Sequence, residues 1–224
     1  MARRINRLHP HGSKYERKTD WKHGQEVVKP LKKEDFDEMV RLCTVRRDAA
    51  APGSGEYYRW YRNYVILIVG VNTGNRIGVI CEQTARDYAG GQYTVTEHKT
   101  GKRKQMELNP EVYKIVSGYC EEFGFKNNAY IFRPYRNRDI PMTREGVWHM
   151  IKNLAEDAGV KYCVGAHSLR KSFGRWIYDE THDIHMVQRL LDHESTIVTQ
   201  RYIGLEEESV QVKRESVNFV PKYM

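Results

Sequence analysis

The stretch LLDHESTIVTQRYIG, residues 190–204, sets Tyr202 nine residues after His193 and three after Thr199. A phenol ionises near pH 10, so at neutral pH a tyrosine nucleophile needs a group to take its proton. An imidazole, ordinarily near 6.5, is suited to that work. Upstream, HSLRKSF places His167 and Arg170 three residues apart, on one face of a helix that starts at or just before them. TGNRIG puts Arg76 behind a Thr-Gly turn, and HKTGK puts Lys99 beside a second one. Two arginines can clamp the nonbridging oxygens of a phosphodiester bidentately, which lysines do less well. A lysine can in turn protonate an alkoxide leaving group. Taken singly, each residue has a plainer reading. The tyrosine, with Ile197 and Val198 nearby, suits a core; H-x-x-R suits a surface pair; Arg76 suits a charged helix start; Lys99 suits a solvated loop tip.

The 224-residue chain is long enough for one large domain or two small ones, and 40% hydrophobic residues suffice for a core. No apolar run approaches the roughly 18 residues of a membrane span, and the basic N-terminus has no apolar signal segment, so no membrane association is expected. The four cysteines, Cys43, Cys81, Cys120 and Cys163, form no C-x-x-C pair. This argues against a cysteine-built zinc site and suggests free thiols in a reducing cytoplasm. Residues 1–33 hold ten Lys or Arg against three acids, so they carry +7 of the net +8. The polar residues 1–30 therefore read as a basic, flexible arm. Such arms bind phosphate backbones through counterion release.

These residues must be positioned by elements that the pattern also indicates. PLKKEDFDEMVRLC predicts a helix opening near Pro30 with Glu34 and Asp35 in its first turn. After AAAPGSGE, a loop without the G-K-S/T of a phosphate loop, YYRWYRNYVILIVGVNTG predicts an apolar helix ending near Gly74. QYTVTE and RKQMEL read as strands flanking HKTGK, with a third strand near Thr84–Tyr88. Helical patterns return in EVYKIVSGYCEEF, in TREGVWHMIKNLAEDAG with Thr143 as cap, in HSLRKSFGRWIYDE, and in DIHMVQRLLDH. In the last of these, Asp183 caps the helix, and Ile184, Val187, Leu190 and Leu191 share a face. The fold class is α+β: a mostly helical domain with a small antiparallel three-stranded β-sheet on one edge.

The order TGNRIG, HKTGK, HSLRKSF, LLDHESTIVTQRY resembles the catalytic domain of the tyrosine recombinases, the phage integrase family, over about residues 31–203. That resemblance implies roles. Tyr202 is the nucleophile, Arg76 and Arg170 hold the scissile phosphate, and His167 and His193 hydrogen-bond it and help move protons. Lys99 protonates the leaving 5′ oxygen. The expected activity is site-specific recombination of double-stranded DNA through a 3′-phosphotyrosine, by a homo-oligomer that is a tetramer on DNA. Because the covalent link stores the bond energy, no ATP is needed, and no metal or other cofactor is expected. Arg3, Arg4, Arg7, Lys14, Arg17 and Lys18 in the arm, with Lys102, Arg103 and Lys171, are candidate DNA contacts. The basic RPYRNR loop, Arg133–Arg138, is another.

Several features depart from the family pattern. Val79 stands where an acidic residue commonly follows the first arginine, Asp192 replaces the glycine before the second histidine, and Lys171 takes a position that is often histidine. A carboxylate at Asp192 is placed to raise the pKa of His193. Only residues 1–30 precede the first predicted helix, where the family carries a helical DNA clamp. The chain is thus expected to be a fragment, or a minimal recombinase whose arm replaces the clamp and whose DNA binding is salt-sensitive. Residues 204–224 read as a tail that docks on a neighbouring protomer or folds back on its own domain. Two other activities fit the same residues: a type IB topoisomerase-like nicking and closing enzyme, and a catalytically silent DNA-binding regulator.

Overall fold

A computed structural model describes residues 27–96 and 103–205. Helix α2 (Gly55–Thr73) is the central element, and Val65, Ile66, Leu67 and Val69 along it are wholly buried. Its start is fixed by Ser54, whose hydroxyl accepts a hydrogen bond from the Tyr57 amide, satisfying a donor that the helix itself leaves open. Around α2 lie α1 (Lys33–Ala49), α4 (Pro110–Glu122) and α6 (Ala166–Thr181). Asn109 with Pro110 opens α4, and Thr143 opens α5 (Arg144–Asp157) through its hydroxyl to the Gly146 amide at 3.0 Å. The lead-in before α1 is tied to α6. The Ser172 hydroxyl accepts from the Leu31 amide at 2.7 Å, and the Trp176 indole donates to the Leu31 carbonyl at 3.2 Å.

The chain ends its described part in two short helices, α7 (Ile184–Leu191) and α8 (Thr196–Tyr202). They are opened by Asp183, which accepts from the His185 and Met186 amides, and by Ser195, which accepts from the Val198 amide. Val187, Leu191 and Ile203 form a small second core, against which Phe173, Ile177 and Tyr202 pack. Leu190, expected on that buried face, is instead 42% exposed. In so short a helix the seam is one row wide, and the i, i+4 pair Val187 and Leu191 fills it.

The sheet has two strands among the described residues, not three. β1 (Gln92–Thr96) pairs antiparallel with β2 (Arg103–Glu107), from Gln92 opposite Glu107 to Thr96 opposite Arg103. The segment expected as a third strand is a 3-10 helix, Ala85–Gly91. The Asp87 carboxylate accepts from both the amide and the hydroxyl of Thr84, each at 2.8 Å, and this local pair of bonds winds the chain before it can join a ladder. One isolated bridge, Thr84 to Tyr130, is what remains of strand pairing there.

The arm at residues 1–26, the HKTGK turn with Lys99 and Lys102, and residues 206–224 of the tail lie outside the described residues. No helix among the described residues is long and apolar enough to cross a membrane, and no cluster of three or more His, Cys, Asp or Glu is placed to hold a metal. No disulfide joins Cys43, Cys81, Cys120 and Cys163. Burial pushes the Cys43 and Cys120 thiols up to about 12 and Cys81 to about 11, which makes them poor nucleophiles at neutral pH.

Candidate active site

The site forms where the C-terminal end of α2, the N-terminal half of α6, and the α7–α8 pair meet. Two glycines permit the meeting. Gly74 ends α2 in the left-handed region at φ 61°, and a Cβ there would stand 2.3 Å from the Phe173 ring. Gly174, on α6, lets Leu191, Ile203 and Val187 approach to 2.9–3.3 Å of where its Cβ would be. This draws α7 and α8 onto α6.

Arg170 occupies the joint. It is 8% exposed, and its Nη1 and Nη2 donate to the carbonyls of Gly74 and Leu191, each at 2.5 Å. Those carbonyls end two different helices, so one guanidinium fixes the relative position of α2, α6 and α7. A guanidinium has five N–H donors, so these two bonds do not exhaust Arg170, and Tyr202 is within its reach. Burial draws the Arg170 pKa down, yet a guanidinium so held stays cationic at any physiological pH. Arg76, which precedes α3 (Ile77–Cys81), is exposed. Its charge reaches Tyr202, His193 and His167, lowering the pKa of each.

Asp192 closes α7 in the left-handed conformation, φ 52°. That backbone favours glycine and is tolerated by aspartate, which accounts for the family's glycine at this place. Gln188 then pins the next residue on both sides, its carbonyl accepting from the His193 amide at 3.0 Å and its amide donating to the His193 carbonyl at 3.1 Å. The His193 Nδ1 lies 3.2 Å from the Thr199 hydroxyl, which itself donates to the Ser195 carbonyl at 2.9 Å. With the hydroxyl proton committed, Nδ1 must be the donor, so neutral His193 keeps its lone pair on Nε2. Burial first, then Arg170 and Arg76, hold the His193 imidazole below its ordinary value. Asp192 pulls the other way and is outweighed, so the rise expected from that carboxylate does not prevail. His167, at the second position of α6, is likewise lowered, by burial, then Lys171, Arg170 and Arg76.

Tyr202 ends α8 one turn beyond Thr199, and its ring meets the His193 ring edge to face, with centroids 4.9 Å apart. Its hydroxyl is buried without a hydrogen-bond partner among the described residues. The Arg170 guanidinium draws the phenol pKa down, by its charge and by side-chain hydrogen bonding, while its Nη1 and Nη2 also donate to the two carbonyls. Burial is the larger effect, and the phenol sits above its ordinary 10. The ring also packs on the small core, so Tyr202 is at once a core side chain and the bearer of an unpartnered hydroxyl.

The sequence-derived candidates thus divide. Arg76, His167, Arg170, His193 and Tyr202 come together, and Lys99 lies outside the described residues. Lys171 is half-buried, with its ammonium 5.2 Å from the Tyr202 ring centroid. It also lines an open groove of about 440 Å³ with Val28, Trp176 and Ile203. Arg103 is on the sheet, ion-paired with Asp87 at 3.5 Å. The Arg133–Arg138 loop is not part of the cluster. Tyr58 and Arg62 donate to the Arg133 carbonyl at 2.9 and 3.0 Å, which anchors the loop near the start of α2. Gly74 is about 24 Å farther along, at 1.5 Å of rise per residue. The main-chain anchors of Arg170 carry no sequence signal, since a carbonyl belongs to every residue. The Thr199 bond had one, in its spacing from His193.

The phage integrase family model matches residues 35–209. The chain belongs to the phage integrase family. Among its relatives, the probable integrase/recombinase YoeC of Bacillus subtilis is 31% identical over 151 residues, 67% of this chain and 81% of that protein. Tyrosine recombinase XerA of Pyrococcus furiosus is 25% identical over 162 residues, covering 71% of this chain and 56% of XerA. This integrase-family chain therefore spans little more than half the length of that Xer relative. A crystal structure of XerA recombinase superposes with a TM-score of 0.64 at 21% identity, over 87% of this chain and 67% of that one. Lambda integrase bound as a dimer to a core site gives 0.56 at 18% identity, over 80% and 61%. At these identities the likeness is one of fold.

Proposed function

We propose that the protein is a site-specific DNA recombinase that cuts and rejoins strands through a 3′-phosphotyrosine. The observation that carries this is the Tyr202 hydroxyl: buried, unpartnered among the described residues, and set against His193, with the charges of Arg170 and Arg76 acting on it. Burying a hydroxyl without a partner costs about 1–3 kcal/mol, a cost that a phosphate entering between the arginines would offset.

In the proposed step the Tyr202 oxygen attacks the scissile phosphorus, the phosphorus–5′-oxygen bond breaks, and a 3′-phosphotyrosine forms. The phenolic proton passes to Nε2 of His193, which the Thr199 bond leaves as an acceptor. Arg76 and Arg170 hold the nonbridging oxygens, where charge gathers in the transition state. His167 hydrogen-bonds the same phosphate. Lys99 delivers a proton to the departing 5′ oxygen. A 5′ hydroxyl of a second strand reverses the step, so the bond energy is conserved and ATP is not consumed. The two guanidiniums supply the charge that a metal ion would otherwise supply. Double-stranded DNA is the substrate. Residues 1–30 and the cations Lys102 and Arg103 grip its backbone, and residues 31–203 act as the catalytic unit in a tetramer on DNA.

A pool of nicked duplexes with randomised centres tests this without knowledge of the target. Cleavage beside the nick releases a short strand and traps the adduct, which is recovered on a denaturing gel and sequenced. Wild type should enrich a defined site, and Tyr202→Phe should give no adduct. Absence of any adduct from wild type rules the reading out. Adducts without recombinants from two-site substrates would indicate nicking and closing alone.

A further inference from the structure

Lys171 follows Arg170 on α6, and its ammonium stands over the face of the Tyr202 ring, 5.2 Å from the centroid. A cation over an aromatic face is attracted to the ring's negative quadrupole. The attraction grows as the ring takes on phenolate charge, because a full Coulomb term is then added. Among the charges that lower the His167 pKa, this ammonium has the largest effect after burial, so it bears on two members of the cluster at once. The side chain is half-buried, with its ammonium over the tyrosine ring.

We infer that Lys171 is a positioning residue for the nucleophile: its ammonium holds the Tyr202 ring in place and favours the phenolate as the proton leaves. This rests on the reading of Tyr202 as nucleophile. The charged and titratable groups facing that tyrosine are Arg170 and Lys171 from α6, Arg76 from the start of α3, and His193 from the turn before α8. Asp192 stands behind them, acting on Arg170 and His193. Several cations share the task, so removing one gives a partial effect.

The test uses the full chain with 3-fluorotyrosine in place of tyrosine, titrated without DNA. The Tyr202 fluorine resonance is assigned by its loss in Tyr202→Phe. In Lys171→Met, which keeps the apolar stem, the Tyr202 midpoint should rise by about one pH unit. Lys171→Arg, which keeps a cation over the ring, should leave it at the wild-type value. If Lys171→Met perturbs folding, Lys171→Gln serves in its place, with retention of the wild-type thermal midpoint as the criterion. An unmoved midpoint in the Met and Gln variants overturns the inference. So does an unmoved midpoint accompanied by a flatter salt dependence of binding to random-sequence duplex, which makes Lys171 a phosphate contact. In the adduct assay, the alkaline rise of the cleavage rate should shift upward with the same variants. A wild type that forms no adduct strikes the nucleophile reading itself, whereas an unmoved titration strikes only the role of Lys171.

Discussion

At the scale of single residues, the chemistry depends on which nitrogen of His193 carries its proton. The Thr199 hydroxyl settles this, because it spends its own proton on Ser195 and can only accept from Nδ1. Thr199→Val keeps the shape and removes the acceptor. Cleavage should slow by about 10–100-fold, the usual effect of losing a group that orients a ligand or base. The nitrogen shifts of His193 in an NMR spectrum should report a mixed tautomer, and a pure Nδ1–H form in the variant would refute the assignment. The spacing of His193, Thr199 and Tyr202 was legible in the sequence, because a helical turn and its cap fix it locally. The electrostatic balance at His193 was not. Asp192 is adjacent in sequence, yet burial and two arginines from distant segments outweigh it.

At the scale of elements, the site is a joint between helix ends. Most elements announce themselves by caps and periodicity, as Ser54, Thr143 and Asp183 do. The 3-10 helix did not, because ARDYAG has no period, and the Thr84–Asp87 bonds that wind it are a matter of side-chain geometry. The role of Gly74 was also only half legible. A Thr-Gly turn marks a helix end, but not the carbonyl that anchors Arg170 from 96 residues away. Gly74→Ala must strain a φ of 61° and drive a methyl group toward Phe173. The cost should be about 2–5 kcal/mol, combining a left-handed alanine with overpacking. Urea unfolding measures it, and a loss below about 0.5 kcal/mol would show that the joint does not depend on this close approach. Cleavage should fall as well, because the displaced carbonyl releases Arg170.

At the scale of the whole molecule, charge governs both stability and binding. His167 and His193 titrate below 6.5 in the folded chain. Between that value and their folded values the unfolded chain binds more protons, so stability rises with pH through this window. It should therefore be undiminished above pH 6.5 and decline as pH falls below it. Replacing both histidines with Gln should flatten the decline in a thermal melt series. An unchanged pH slope would mean that other groups control it. The expectation that the arm binds DNA concerns residues 1–24, which hold seven cations and two acids. Deleting them should weaken duplex binding and flatten the plot of log affinity against log salt by up to about 0.9 per lost phosphate contact. An equal slope for both forms would exclude the arm from the contact. What no sequence pattern reveals at this scale is the target site, since base readout depends on which side chains enter a groove.

The central claim is that Tyr202 is the atom-bonding nucleophile, and its most direct test is to find the bond. Wild-type protein trapped on nicked duplex is digested with protease and nuclease, and the modified peptide is sequenced by mass spectrometry. The expected product is a nucleotide joined through its 3′ phosphate to Tyr202, in the peptide that follows Arg201. A nucleotide on any other residue, or an adduct that persists in Tyr202→Phe, would contradict the account.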